Sequence, residues 1–388
     1  MRNGDLDPLG TPTSPESPIF AKGPAELAPV SPQNRRSRPA NDSLNRGGSA
    51  TILIAVLAAE WVIFGIWALA PVISDWHRYV QPLVWIPDWL WLIGLLPLAL
   101  VGIIVGMRSK RIGFPTARFG MAVAVIPVIV LGGGVVRREW KPWAAPDSTP
   151  SGRIVFLNAL IQTRENANGV IDTIESMDPD LVVIVNPGWI APVWRERVRA
   201  GIATFPDGET ESIAEPWSIR WVSPILVAAR EKSVALRTII RKGGIKAVRI
   251  DLPESLSSAL GAARLVVVDL PSEWRRSRGR IIEELGAAIQ SDIAQQGGEV
   301  DLILGDFNLT PRTPALAHLL PGMRDLFVSG GVGWGATWPR ENPLIRIDFA
   351  LGGASLGSTS IRTFDPGIGG HRGLVLDIHR DSKAEASR

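Results

Sequence analysis

Three long apolar runs in the N-terminal third of the chain constrain its fold more than any other feature. They cover about 51–73, 84–107 and 119–136 of the 388 residues. A helix needs about 20 apolar residues to cross the hydrocarbon core of a bilayer, so the first two runs are long enough and the third is at the short end. The sequence therefore predicts a membrane region, residues 50–137, with three transmembrane helices.

Basic residues around these runs predict their orientation. The segments before the first run and between the second and third hold Arg35, Arg36, Arg38, Arg46, Arg108, Lys110, Arg111 and Arg118. Only Arg78 lies between the first and second runs. Arg137, Arg138 and Lys141 follow the third run and argue mildly against a cytoplasmic location of the first two basic segments. Positive charge is retained in the cytoplasm, so we expect a multi-pass cell-membrane protein with an extracytoplasmic C-terminal domain.

The remaining segments differ in composition from the membrane region. Residues 1–49 are rich in Pro and Ser and are predicted to be a disordered tail, 138–152 a linker, and 381–388 a disordered C-terminus. Glu60 lies inside the first apolar run. An ionisable residue there is a hypothesis of function, while a protonated glutamate without a role is the alternative.

Residues 153–380 change to short apolar runs that alternate with amphipathic segments. Strands are predicted at 154–157, 181–185, 219–221, 225–228, 236–240, 247–250, 264–268, 302–304, 347–351 and 374–378. Helices are predicted at 167–177, 193–200, 275–296 and 313–320. This pattern is typical of an α+β domain with two packed sheets and outer helices. The chain has no Cys, which excludes disulfides, thiolate metal sites and cysteine nucleophiles.

The segment Gly305–Pro311 carries the most informative motif of this domain. It follows the apolar run Val300–Leu304, which is predicted to be a buried strand. Asp306 and Asn308 are two residues apart, so their side chains are expected to point the same way. A carboxylate beside a carboxamide can align a water molecule and contact a phosphoryl oxygen. An ordinary turn or helix cap is the alternative for these two residues alone.

Further motifs follow this one, at Arg346-Ile347-Asp348 and at Gly369-Gly370-His371. With them, residues 153–380 resemble the endonuclease/exonuclease/phosphatase superfamily of metal-dependent phosphoesterases. The resemblance implies a four-layer α/β/β/α sandwich, hydrolysis of a phosphoester, and Mg²⁺ or Mn²⁺ as the cofactor. It implies catalytic roles for Asn158, Asp306, Asn308, Asp348 and His371, metal-ligand positions at Asn186 and Asp269, and a substrate-binding position at Trp338.

Three positions depart from the pattern of the family. Asn186 stands where the family has a glutamate ligand, Asp269 where it has a histidine, and Gly370 where it has an aspartate. A neutral amide attracts a divalent ion less than a carboxylate does, and Asp269 is expected to repel a phosphate unless a metal binds to it. The sequence therefore predicts weak or lost phosphoesterase activity. A non-catalytic binding or scaffolding module that retains the fold is the alternative.

The sequence predicts little about partners other than the lipid bilayer. A net charge of +3 is too small to indicate nucleic-acid binding. The loop 187–224 contains Trp189, Trp194, Trp217 and Trp221, which are expected to pack in the core, with base stacking as the alternative. The phosphoester substrate and the oligomeric state are not identified by any motif.

Overall fold

The computed structural model describes residues 41–379 except for 75–76, 78, 112–116, 143–149, 201, 205–209, 213–216, 274, 355 and 357. Three of its helices are long and apolar enough to cross a membrane. The first four helices are α1 (Asn41–Ser74), α2 (Gln81–Trp85), α3 (Asp88–Arg111) and α4 (Ala117–Arg138). The candidate spans are Thr51–Ser74, Asp88–Arg108 and Phe119–Arg138, with mean hydropathies of 2.3, 2.5 and 2.4. The three predicted helices are confirmed by length and composition.

The ends of the three apolar helices meet in a buried polar cluster. The Asp88 carboxylate accepts hydrogen bonds from Trp67 Nε1 at 2.9 Å and from Arg138 Nε at 2.9 Å. Arg312, far along the chain, lies with its Nε 3.3 Å from Asp88 Oδ1 and donates to the Trp67 carbonyl. Asp88 and Arg312 are almost fully buried. Because buried charges are stable only when paired, this cluster fixes the later domain against one end of the helices.

The predicted segment boundaries fall partly outside the described residues. The tail 1–49 lies outside them over residues 1–40, and α1 begins at Asn41. Residues 143–149 of the linker 138–152 and the whole C-terminal segment 381–388, together with residue 380, are also undescribed. Their disorder stays a prediction.

Residues 152–379, together with the short strand at Trp140–Lys141, form two mixed β-sheets with helices on their outer faces. The strands are β1 (Trp140–Lys141), β2 (Gly152–Asn158), β3 (Leu181–Val185), β4 (Ile202–Thr204), β5 (Thr210–Ser212), β6 (Ser218–Val222), β7 (Ile225–Ala229), β8 (Ala235–Lys242), β9 (Ile245–Asp251), β10 (Arg264–Asp269), β11 (Leu302–Asp306), β12 (Arg324–Asp325), β13 (Gly331–Trp334), β14 (Asp348–Gly352), β15 (Ser358–Phe364) and β16 (Gly373–His379). One sheet has the order β1-β13-β15-β16-β2-β3-β7-β6, the other β12-β14-β11-β10-β9-β8, and β4 pairs only with β5.

The remaining helices are α5 (Arg164–Glu175), α6 (Ile190–Ala200), α7 (Glu254–Leu260), α8 (Arg278–Gln296) and α9 (Leu326–Gly330), with one 3₁₀ turn at Pro314–His318. One apolar cluster lies between the two sheets and includes Phe156 and Leu304. A second lies between α8 and the six-stranded sheet, and a third between α5, α6 and the eight-stranded sheet. The α+β fold and the four layers predicted from the sequence are therefore confirmed.

Some local predictions differ from the structure for identifiable reasons. The helix predicted over 313–320 is only the 3₁₀ turn at Pro314–His318. The strands Gly331–Trp334 and Ser358–Phe364 were not predicted, because glycine and small polar residues mask their alternation. Helix α8 begins at Arg278 rather than at 275, since the Ser277 side chain caps it by accepting from Arg280 N.

The loop tryptophans divide between core and surface. Trp194 is fully buried, its ring centroid lies 5.4 Å from that of Trp217, and its Nε1 donates to Glu175 at 3.1 Å. Trp189 and Trp221 are 44% and 47% exposed. Core packing is therefore confirmed for Trp194, while Trp189 and Trp221 face solvent.

Candidate active site

The predicted site residues lie at the same end of the two sheets. The directions and the register of the strands bring them there. Asn158 is the last residue of β2, and Asn186 follows β3, which runs parallel to β2. Asp269 and Asp306 end the parallel strands β10 and β11 and are paired in register. Asp348 begins β14, which is antiparallel to β11 with Asp348 opposite Asp306. The carboxyl ends of parallel strands thus meet the start of an antiparallel one.

Asp306 is the centre of a buried hydrogen-bonded cluster. Its Oδ1 accepts from the Asn308 backbone N–H at 2.9 Å. Its Oδ2 accepts from Asn158 Nδ2 at 2.9 Å and from Asn308 Nδ2 at 3.0 Å. Asn308 Nδ2 also donates to the Leu270 carbonyl at 2.8 Å, which fixes the carboxamide. A carboxylate has about four acceptor sites, so Asp306 still has one for a water molecule.

His371 is oriented by a second carboxylate. Its Nδ1 lies 2.9 Å from Asp348 Oδ2, so its Nε2 points toward the cluster, 3.5 Å from Asn158 Nδ2. The Thr337 hydroxyl accepts from the Asp348 N–H at 3.3 Å and helps to hold the start of β14. Gly370, where the resemblance expects an aspartate, accepts from Arg340 N through its carbonyl. The predicted pair of Asp348 and His371 is thus present without a carboxylate at position 370.

Burial and charge shift the protonation of this cluster. Burial raises the pKa of Asp306, and the neighbouring Asp348 carboxylate raises it further. Burial opposes protonation of His371, but the charges of Asp348 and Asp306 outweigh it and raise the pKa of His371 to about 9. At neutral pH the imidazole is therefore cationic, and the site combines a strong hydrogen-bond donor with a carboxyl group of raised basicity.

The predicted metal-ligand corner is neutralised by a lysine. Asp269 Oδ2 lies 2.6 Å from Lys246 Nζ, and Lys246 is its register partner on the antiparallel strand β9. Asn186 Nδ2 donates to Asn158 Oδ1 at 3.1 Å. The expected repulsion of a phosphate by Asp269 is therefore offset, because an ammonium group faces that carboxylate. The same ammonium repels a divalent ion, so the corner at Asn186 and Asp269 does not fit a metal.

Two of the asparagines have backbone conformations that favour asparagine itself. Asn186 has φ of 50° and Asn308 has φ of 48°, both in the left-handed region. Asparagine tolerates this region better than other residues with a Cβ, because its short side chain can bond to nearby backbone. A glutamate at position 186 would be strained by about 1–2 kcal/mol. The departure at position 186 is thus coupled to the local backbone.

Another group in the site fits a cation better. Ligand atoms of Asp306, Asp348 and His371 all lie within 4.8 Å of one another. Within the part of the chain that the structure describes, Asp348 Oδ1 is buried and has no hydrogen-bond partner. A buried oxygen without a partner is costly, which makes it a suitable ligand atom for an ion. Asp306 and Asp348, predicted as catalytic, therefore fit a metal better than the predicted ligands do, and the cationic His371 lies beside them as a hydrogen-bond donor.

Asp306, Asn308, Asn158 and His371 line a pocket of about 580 Å³. Trp338, the predicted substrate-binding residue, lies in its wall and is 42% exposed. The sequence did not point to Lys246 or Trp85, which also line it. Lys246 resembles a residue on the solvated face of a strand, and Trp85 belongs to the membrane region, about 220 positions from Asp306. No local pattern could have found either one, because each reaches the site through tertiary contacts.

No protein-family model matches this chain, and no curated protein matches it. Solved structures resemble it at low identity. TDP2 from C. elegans has a TM-score of 0.44 and 12% identity, over 93% of this chain and 99% of that one. The human Nocturnin catalytic domain with bound sulfate has a TM-score of 0.41 and 15% identity, over 60% of this chain and 94% of that one. D. rerio TDP2 with a single-strand DNA product has a TM-score of 0.39 and 12% identity, over 58% and 97%. At these values the likenesses carry no information on activity, so the function is derived from this chain's own residues.

Proposed function

We propose that residues 153–380 are a slow phosphoester hydrolase of the endonuclease/exonuclease/phosphatase type, anchored to the membrane by three helices. The observation that carries the proposal is the cluster of Asp306, Asp348 and His371, whose polar side-chain atoms lie within 4.8 Å of one another, with Asp306 and His371 in the pocket wall. A basic carboxyl group and a cationic imidazole at one point are what the hydrolysis of a phosphoester requires. The rate is low because positions 186 and 370 lack carboxylates.

The proposed reaction uses each member of the cluster. Asp306 accepts the proton of a water molecule that attacks phosphorus, a new P–O bond forms, and the ester P–O bond breaks. Solvent protonates the departing alkoxide, so one water yields an alcohol and a phosphate product. His371 donates its Nε2–H to a phosphoryl oxygen, while Asp348 holds the ring at Nδ1. Asn308 donates to Asp306 and to the Leu270 carbonyl, and so it orients the Asp306 carboxylate toward the water.

A divalent ion fits this mechanism at one place. Asp306 and Asp348 would hold Mg²⁺ or Mn²⁺ beside the His371 donor, and the bound ion would polarise a phosphoryl oxygen as a Lewis acid. At the predicted ligand positions Asn186 and Asp269, the ion pair of Lys246 with Asp269 disfavours a second cation. Carboxylate oxygens suit both Mg²⁺ and Mn²⁺, so the donor set accepts either ion.

The activity is tested with the full-length chain in detergent micelles and bis(p-nitrophenyl) phosphate as substrate. We expect slow turnover that falls about tenfold or more with a chelator and returns when Mn²⁺ or Mg²⁺ is added. Asp306→Ala is the matched inactive control, since it removes the proposed base. Turnover that is absent at every metal concentration would contradict the proposal.

A non-catalytic phosphoester-binding module is the second candidate. It is favoured by the ion pair of Lys246 and Asp269, which fills a corner that the resemblance assigns to metal. This candidate predicts that calorimetry with inorganic phosphate or a phosphodiester shows binding without turnover. Binding that is lost in Lys246→Met but kept in Asp306→Asn would distinguish it from the enzyme.

The domain is proposed to be extracytoplasmic. An odd number of spans places residues 153–380 on the side opposite to the N-terminus, and the arginines before α1 favour a cytoplasmic N-terminus. We expect alkaline phosphatase fused after Arg388 to be active in cells, because this reporter folds only outside the cytoplasm. Activity confined to a fused cytoplasmic reporter, such as β-galactosidase, would reverse the orientation.

A further inference from the structure

The connection between the first two spans forms part of the pocket wall. Trp85, at the end of α2, lines the pocket together with the catalytic cluster. The second span begins at Asp88, three residues later. A chain advances at most about 3.6 Å per residue, so Trp85 lies within about 11 Å of the start of that span. One side of the pocket is therefore at the depth where the chain enters the membrane.

Contacts with the domain hold this connection in place. The Thr310 hydroxyl donates to the Val84 carbonyl at 2.8 Å, and both residues are buried. The Arg278 guanidinium lies 5.3 Å from the centroid of the Trp85 ring. Within the described residues, Trp85 Nε1 is buried and has no hydrogen-bond partner. The contacts of Thr310 and Arg278 fix the Trp85 ring in the pocket wall.

The rim of the pocket on this side carries exposed apolar side chains. Leu160 and Trp338 line the pocket and are 57% and 42% exposed. Leu344 is 41% exposed, and its carbonyl accepts from Trp89 Nε1 at 3.1 Å, at the start of the second span. Exposed tryptophan and leucine beside a transmembrane helix are favourable in the interfacial layer of a bilayer, where their apolar surface leaves water.

We propose that the pocket takes the phosphoester headgroup of a membrane lipid, which enters from the bilayer surface between Trp85 and Trp338. This inference rests on the proposed function and names its substrate class. A pocket of about 580 Å³ has the size of a small-molecule site and suits a headgroup, while the acyl chains stay in the bilayer. His371 and Lys246 line the wall, and the Trp85 and Trp338 side chains supply aromatic surface beside them.

The position of the rim can be tested without any turnover. The chain has no Cys, so Leu344→Cys creates a single labelling site for a fluorophore. In phosphatidylcholine vesicles with a headgroup-spin-labelled lipid, we expect the label at position 344 to be quenched several-fold more than one at Gln296→Cys. Gln296 is exposed and ends helix α8. It precedes the start of β11, whereas Asp306 at the other end of β11 lies in the pocket, so Gln296 serves as the matched control. Equal quenching at both positions would overturn the inference.

Substrate class is tested by comparing two forms of one headgroup. The full-length chain is reconstituted in vesicles that contain phosphatidylglycerol, and turnover is compared with that of soluble glycerophosphoglycerol. We expect the vesicle lipid to be hydrolysed at least about tenfold faster at equal bulk concentration, and Trp85→Ala to lower this ratio about tenfold. Hydrolysis of the soluble diester alone would overturn the lipid inference and leave the proposed function intact. Absence of hydrolysis in both would contradict the proposed function, and the quenching measurement would still decide the position of the rim.

Discussion

His371→Ala is expected to lower phosphoester turnover by about 10²–10³-fold, because it removes the donor that stabilises charge on the phosphoryl oxygen. The imidazole is cationic at neutral pH, since its pKa is raised to about 9 by the surrounding carboxylates. Its loss also leaves Asp348, which is 1% exposed, without a partner for Oδ2. The measurement is kcat with bis(p-nitrophenyl) phosphate at saturating metal.

The chain offers a matched control for this variant. His318 ends the 3₁₀ turn and is exposed, so His318→Ala is expected to keep native turnover. Thermal unfolding of both variants separates a catalytic effect from a loss of folded protein. If His371→Ala kept kcat within threefold of the native value while remaining folded, the imidazole would not contact the phosphate and the proposed mechanism would be wrong.

Arg312→Ala is expected to destabilise the folded chain by about 3–5 kcal/mol, because it removes one partner of a buried ion pair. Arg312 approaches Asp88 to 3.3 Å, and its guanidinium lies 4.9 Å from the centroid of the Trp67 ring. Burial lowers the pKa of Arg312 to about 10, so it stays charged at neutral pH. The free energy of unfolding in detergent micelles is the quantity to measure.

A surface pair provides the comparison for Arg312. Arg164 and Glu196 form an ion pair in which the side chains are 60% and 52% exposed, so Arg164→Ala is expected to cost at most about 1 kcal/mol. The Arg312 variant should also increase proteolysis between the helices and the domain, because the buried cluster holds the two together. A destabilisation no larger than that of Arg164→Ala would mean that the cluster does not fix the domain.

The three long apolar helices and most of the clustered polar positions could be predicted because their signals are local. Hydropathy over about 20 residues identifies a span, and alternation with period two places the residues at a strand end on one side. Asp306 and Asn308 therefore pointed to a site before any tertiary contact was known. The strands at 331–334 and 358–364 lacked such a signal, and they were missed.

Asn186 and Asp269 depart from the family pattern, and the effect of each departure on the site depends on residues that are distant in sequence. Asp269 alone predicted repulsion of a phosphate, but the register of β9 and β10 places Lys246 opposite it at 2.6 Å. Asn186 appeared to be a lost ligand, whereas its φ of 50° shows a backbone that suits asparagine. Register and left-handed backbone are set by packing of the whole sheet, so the sequence could not supply them.

The sequence by itself determined the three apolar spans, the α+β class, and the carboxylate and imidazole positions of the site, because local hydropathy and strand periodicity encode them. Tertiary structure alone decided which charges face one another and which residues line the pocket. Val84 and Thr310 are 226 positions apart, yet their hydrogen bond helps to place Trp85 in the pocket wall. Such contacts arise from the docking of separately formed elements, and hydropathy and periodicity within each element do not report them.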